Sequence, residues 1–197
     1  MFVKNKIDNF KMLEKLDVNR VFSRVCHTID ESKVFLNIMK EKGFKYVGLR
    51  RATQAIGGVG QFINKLSIED ALYHISSFNF QLPAIIYESM GGYEDYILMQ
   101  GEIQLFPDGT MWGRISEVPG FTMRQVLADP LKIQHFGTHP YSGDVRREVT
   151  WDYYKTQTVV DYICEKHIIG PVVEFTHYTI PVGIHRQRLL IWEIRNY

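Results

Sequence analysis

The chain has 197 residues, 45% of them hydrophobic and 13% aromatic, which excludes a disordered polypeptide. This length accommodates one domain or two small lobes and buries roughly 70% of the unfolded surface. Lys and Arg number 23 against 22 Asp and Glu, a formal charge of +1 that argues against a general nucleic-acid binder, although it allows a local basic patch.

Phe10 to Leu16 is amphipathic and reads as one or two helical turns, and Arg20 to Val25 alternates as a strand does. Asp30-Glu31-Ser32 opens a helix through Lys42, with Val34, Phe35, Ile38 and Met39 as its apolar stripe and Gly43 as its stop. A strand over Phe44 to Arg51 leads into Gly57-Gly58-Val59-Gly60, and a second short strand follows at Gln61 to Lys65. Ser67-Ile68-Glu69-Asp70 carries a serine cap with an acid at the third helical position, and Ile68, Ala71, Leu72, Ile75 and Phe78 recur at helical spacing behind it. Pro83 to Ser89 reads as a buried strand that Gly91-Gly92 ends.

Tyr96 to Phe106 and Thr110 to Glu117 are strands around the turn Pro107-Asp108-Gly109. From Val118 to Val149 prolines and glycines interrupt any period, and this long irregular stretch, with a helical turn over Met123 to Leu127, is expected to be functional. Trp151 to Lys166 returns to helical period. Pro171 to Thr179 and Gln187 to Arg195 are closing strands joined through Pro181-Val182-Gly183. The predicted class is α+β: two small lobes of mostly antiparallel sheet with packed helices.

Cys26 and Cys164 stand far apart without a CxxC pair, so reduced, packed thiols are expected rather than a disulfide scaffold or a zinc site. The opening Met1 to Asp8 lacks the apolar core of a signal peptide, and no stretch approaches the ~18 apolar residues of a membrane span. The expected location is cytoplasmic, with no membrane partner.

Three features carry chemistry. Glycines 57, 58 and 60 let backbone N–H groups approach phosphate oxygens, although neither GxGxxG nor GxxxxGK[ST] is present and turn chemistry by itself favours a plain hairpin turn. Arg50 and Arg51 face opposite ways on one strand, so one cation can meet a phosphate while the other meets solvent; defence of an edge strand is the competing explanation. Glu174 and Glu193 are acids among apolar residues on neighbouring strands, where two carboxylates could share Mg²⁺; acids facing solvent are the alternative. The seven histidines lack metal-ligand spacing, His177 is expected on the face opposite Glu174, and no nucleophile motif occurs.

A cation-bearing strand, a glycine turn, a second strand, a helix opening Ser-x-Glu-Asp and then the run IIYESMGGYEDYIL resemble an ATP-grasp nucleotide-binding domain. Glu88, Gly92 and Glu94 fit the family's hinge, while Glu174 in VVEF and Glu193 in LLIWEIRNY occupy places like those of its metal ligands. The resemblance implies one ATP-grasp-like domain over residues 20–197, with lobes of about 20–95 and 96–197 after an extension of 1–19, binding ATP and Mg²⁺ between the lobes. It implies Arg50 and Gly57, Gly58 and Gly60 on the phosphates and Glu88 near the adenine and ribose. Mg²⁺ would lie on Glu174 and Glu193 with Asn196 as a third ligand, and Arg195 stands where the family's asparagine is expected. Arg124 would stabilise the transferred phosphoryl group.

The implied activity is ATP-dependent ligase or phosphotransferase chemistry on a small-molecule carboxylate, activated as an acyl phosphate and captured by an amine. A partner chain would supply the substrate lobe. The alternative is a non-catalytic module for a protein or single-stranded nucleic acid, read through Tyr141, Arg146, Arg147, Trp151, Tyr153, Tyr154 and Lys155.

Overall fold

The computed structural model describes residues 5–53, 62–77, 80–117, 134–136 and 153–195. They divide into two compact units, one formed by Met1–Lys11, Val21–Gly92 and Val182–Arg186, the other by Met12–Arg20, Tyr93–Pro181 and Gln187–Tyr197. The first helix, α1 (Lys6–Lys15), contributes residues to both.

The first unit contains β1 (Ser23–Cys26), α2 (Ile29–Glu41), β2 (Val47–Arg51), β3 (Phe62–Leu66), α3 (Ile68–Ser76) and β4 (Ala84–Glu88). Its sheet runs β1-β4-β2-β3, antiparallel throughout. α2 begins one residue earlier than its acidic run suggests, because Thr28 caps it: Thr28 Oγ1 accepts the Glu31 N–H at 3.1 Å, and Glu31 Oε2 accepts the His27 N–H at 2.7 Å. It ends as expected at Gly43, whose φ of +82° lets the Phe44 N–H reach the Met39 carbonyl at 3.1 Å.

The α2 stripe differs from the sequence expectation. Ser32, Phe35, Leu36 and Met39 face inward, while Val34 is 56% exposed. A helix rotated by one residue keeps two of the same apolar positions, so periodicity alone does not settle its facing. α3 has its expected cap, with Ser67 Oγ accepting the Asp70 N–H at 3.0 Å; Ile68, Ala71 and Ile75 are buried and Leu72 half-buried, while Phe78 lies outside the described residues. Both helices pack onto the sheet face bearing Cys26, Val47, Leu49, Ala84 and Ile86. On the opposite face Ile85, with Val25 and Tyr87, meets Phe10, Ile7 and Ala52.

The second unit contains a 3₁₀ turn (Glu94–Tyr96), β5 (Ile97–Leu105), β6 (Met111–Ser116), β7 (Gln134–Phe136), α4 (Tyr153–Glu165), β8 (Val172–Val182, whose last residue falls in the first unit) and β9 (Gln187–Arg195). Its sheet runs β7-β6-β5-β8-β9. β5 is antiparallel to β6 and β8, and β6 to β7. A connection of residues 183–186 is too short for a crossover, so β8 and β9 are antiparallel as well. The β5–β6 turn is as read: Asp108 Oδ1 accepts from the Thr110 N–H at 2.9 Å and its hydroxyl at 2.6 Å, and Gly109 takes φ +84°.

The short strand β7 lies inside the stretch that lacks periodicity. Three residues are too few to show an alternation, and the edge of β6 selects them. The helical turn expected at Met123 to Leu127 lies outside the described residues. Val159, Val160 and Ile163 of α4 pack on Met99, Ile103, Leu105, Ile115, Val173 and Phe175, together with Leu13 and Val18. Neither cysteine is bridged; Cys26 is buried as expected, whereas Cys164 is exposed on α4. Among the described residues no helix is long and apolar enough to cross a membrane.

Candidate functional site

In the first unit, Val47 and Leu49 point into the helical core, so strand alternation places Gly48 and Arg50 on the other face. There Gly48 is required by contact: a Cβ on it would lie 2.2 Å from the Tyr87 ring. Tyr87 donates its hydroxyl to Asn64 Oδ1 at 3.1 Å; burial pushes its pKa up to about 12, against the nearby Arg50 charge. Arg51 donates from Nε to Thr53 Oγ1 at 3.2 Å. β2 and β3 form a hairpin, so residues 52–61 are its connection. Gly57, Gly58 and Gly60 lie outside the described residues.

The β3 strand carries one residue more than β2 between the pairs Val47–Leu66 and Leu49–Ile63, and Lys65 takes φ +59° at that bulge. The segment after β4 is tied to it. Ser89 Oγ accepts the Lys65 N–H at 3.2 Å and the Gly91 N–H at 3.3 Å, and donates to Asn64 Oδ1 at 3.3 Å. The sequence reading missed Asn64, Tyr87 and Ser89, since polar residues near strand ends carry no periodic signal.

Glu88, the last residue of β4, is buried. Its Oε1 accepts the Ile184 N–H at 2.9 Å and its Oε2 the Phe22 N–H at 3.4 Å, both within this unit. Burial raises its pKa, and these two hydrogen bonds oppose the rise. Gly183, at φ +69°, leaves the space: a Cβ there would be 3.2 Å from Glu88 Oε2. The acid thus organises the backbone just before β1 and the turn after β8.

In the second unit the informative face is the one away from α4. Gln100, Glu102 and Gln104 alternate along β5 and are all buried. Glu102 stands opposite Glu174 on β8 and Arg114 on β6. Arg114 Nε donates to Glu102 Oε2 at 2.5 Å, and the Arg195 guanidinium donates to Glu102 Oε1. Arg195 Nε also lies 3.8 Å from Glu193 Oε1. Glu174 and His177 are each half-buried on β8. Burial, aided by the Arg188 charge, lowers the His177 pKa and favours the neutral ring.

The placement of Glu193 breaks simple alternation. Leu189, Ile191 and Ile194 all belong to the core under α4. Side chains of a regular strand cannot put residues 191 and 194 on one face, so β9 is irregular between them. Trp192 donates from Nε1 to Thr176 Oγ1 at 2.9 Å, and Glu193 pairs with Arg195. The irregularity is what removes Glu193 from the core face. Glu102 and Arg114 escaped the sequence reading, although the alternation Gln-x-Glu-x-Gln in a strand of otherwise apolar and small residues signals a polar sheet face.

A magnesium ion on this face would have to be held by these carboxylates. Carboxylate oxygens suit Mg²⁺. Here, however, Glu102 already holds two guanidinium groups, and the Arg195 guanidinium stands 3.8 Å from Glu193 Oε1, beyond hydrogen-bond distance but within ion-pair range; guanidinium has no lone pair to offer a metal. Among the described residues no group of three His, Cys, Asp or Glu could hold a metal ion. In this arrangement the face is an ion-pair network and does not fit a resident Mg²⁺. Asn196 and Arg124 lie outside the described residues.

No protein-family model matches the chain, and no curated protein matches its sequence. Solved structures do match. D-alanyl-alanine synthetase A from Vibrio cholerae aligns over 98% of this chain at TM-score 0.54 and 11% identity, with 55% of that chain covered. D-Alanine-D-Alanine ligase from Helicobacter pylori aligns over 98% at TM-score 0.53 and 12% identity, with 53% covered. N5-carboxyaminoimidazole synthase from Aspergillus clavatus, solved with ADP and 5-aminoimidazole ribonucleotide, aligns over 98% at TM-score 0.50 and 10% identity, with 44% covered. The chain thus spans about half the length of these proteins. At such identities the likeness is one of architecture: two antiparallel sheets with packed helices in the ATP-grasp-like fold.

Proposed function

We propose that this chain binds ATP and serves ATP-dependent ligation of a small-molecule carboxylate to an amine. The observation that carries this reading is the match of nearly the whole chain to ligases of this fold, one of them solved with ADP. The first unit's part is to hold nucleotide. Arg50 neutralises phosphate charge, Gly57, Gly58 and Gly60 present backbone N–H groups to the phosphates, and Glu88 anchors the segment beside the adenine and ribose. Its two backbone hydrogen bonds make Glu88 a fixed support.

The chemistry in this reading is a phosphoryl transfer followed by acyl capture. A carboxylate oxygen attacks the γ-phosphorus and ADP leaves; the amine then attacks the acyl carbon and inorganic phosphate leaves. Arg124 is the proposed residue for the charge on the transferring group. Magnesium enters with the nucleotide's phosphates. Glu174 and Asn196 are the residues proposed to meet it, whereas Glu193, set against Arg195, stays in the ion-pair network. The length of the related ligases not spanned by this chain leaves the substrate lobe to a further segment or a partner chain, and the proposed setting is the cytoplasm.

Thermal unfolding with ATP, in Mg²⁺ and separately in EDTA, tests the reading. Nucleotide at ~100 times its dissociation constant stabilises by about 2.7 kcal/mol, a rise of roughly 5–10 °C for this size. Arg50→Ala is expected to shrink that rise. No rise at millimolar ATP in either condition would overturn nucleotide binding.

A further inference from the structure

We infer that Arg195 occupies the position of a divalent cation on the polar face of the second unit's sheet, so that the nucleotide-free chain carries no resident metal there. Glu102 is 2% exposed, and a carboxylate at that depth requires a positive partner. It has two, Arg114 Nε at 2.5 Å and the Arg195 guanidinium, and Glu193, also buried, lies within ion-pair distance of the same guanidinium.

Two buried carboxylates, Glu102 and Glu193, meet two guanidinium groups, Arg114 and Arg195, while Glu174 stands half-buried across from Glu102 on β8. A divalent ion placed beside Glu193 would stand against Arg195, whose charge does not titrate away. The irregularity of β9 brings this about. It turns Glu193 out of the core while leaving Ile194 in it, and alternation then returns Arg195 to the side of Glu193.

Glu102 is therefore a positioning residue that holds Arg195 over Glu193. Replacing Arg195 by a neutral residue with an oxygen removes the internal cation, leaves Glu193 without that partner and supplies an additional neutral donor. Such a substitution is expected to create metal affinity. The inference is independent of nucleotide, since it concerns the resting chain.

The test uses Mn²⁺ as the probe, followed by the electron paramagnetic resonance signal of the free ion, with the full chain and no nucleotide. Wild-type protein is expected to leave the signal unchanged. Arg195→Asn is expected to take up a single Mn²⁺ per chain, with a saturable loss of the free-ion signal. Adding Glu193→Gln to that variant is expected to abolish the uptake, and Arg195→Lys, which keeps the charge, is expected to behave as wild type. Saturable uptake by the wild type that disappears in Glu193→Gln would overturn the inference, as would a folded Arg195→Asn that leaves the signal untouched. Should Arg195→Asn not fold, wild type against Glu193→Gln decides by the same criterion. If this pattern holds while ATP gives no thermal shift, the nucleotide reading falls and the metal-free face stands.

Discussion

Glu88 shows how one buried acid links strand pairing to pH. Its carboxylate accepts the Phe22 and Ile184 N–H groups, and burial raises its pKa from the usual 4.5 more than those bonds lower it. The folded state therefore holds this proton more tightly than the unfolded state. The associated stability is fully present below about pH 4.5 and is lost as pH rises through the raised folded value. Glu88→Gln removes the titration and exchanges one acceptor for a donor, at a cost of about 1–3 kcal/mol for the misplaced hydrogen bond. The stability of wild type minus that of the variant, read by urea unfolding between about pH 3.5 and 7, is expected to fall as pH rises. A constant difference would refute the assignment. The sequence placed Glu88 in a buried strand over Pro83 to Ser89, whereas its two partners lie 66 and 96 positions away in the chain, beyond any local pattern.

Helix ends illustrate the same limit at the scale of elements. α1, α2 and α4 close alike, with the second residue past the cap donating back: Val18 to Leu13, Phe44 to Met39 and Ile168 to Ile163. The residue in the left-handed region is Gly43 in α2, but Asp17 at +48° and His167 at +54° in the others. The glycine stop was therefore legible and the other two were not. A side chain in that region costs roughly 1–2 kcal/mol, part of which glycine would return as unfolded-state entropy. His167→Gly is expected to stabilise the chain by about 0.5–1 kcal/mol, a rise of a few degrees in Tm by circular dichroism. No gain, or a loss, would mean that the His167 ring makes a contact worth more than the backbone strain.

For the whole molecule, the chain spans about half of each ligase it resembles, and ligation needs a carboxylate and an amine as well as ATP. The chain alone is therefore expected to bind ATP without steady release of ADP. A coupled ADP assay checks this, and steady turnover above the no-protein background would show that no further lobe is needed. The near balance of 23 basic and 22 acidic residues predicts no salt-sensitive affinity for a short oligonucleotide, and a salt-dependent fluorescence anisotropy rise would revive that reading; of its residues, 141–152 lie outside the described ones.

Local signals were enough for the α+β class, the capped α3, the Asp108-Gly109 hairpin and the closing strands, because each follows from periodicity or turn chemistry within a few residues. Tertiary structure alone decided which face of α2 is buried, that β7 joins the sheet, and that Glu193 leaves the core face to meet Arg195. Those outcomes depend on neighbours distant in sequence: an open strand edge, the packing of α4 on β9, and a buried Glu102 that must find its cations. A buried charge selects its partner by proximity in space, which no spacing along the chain encodes.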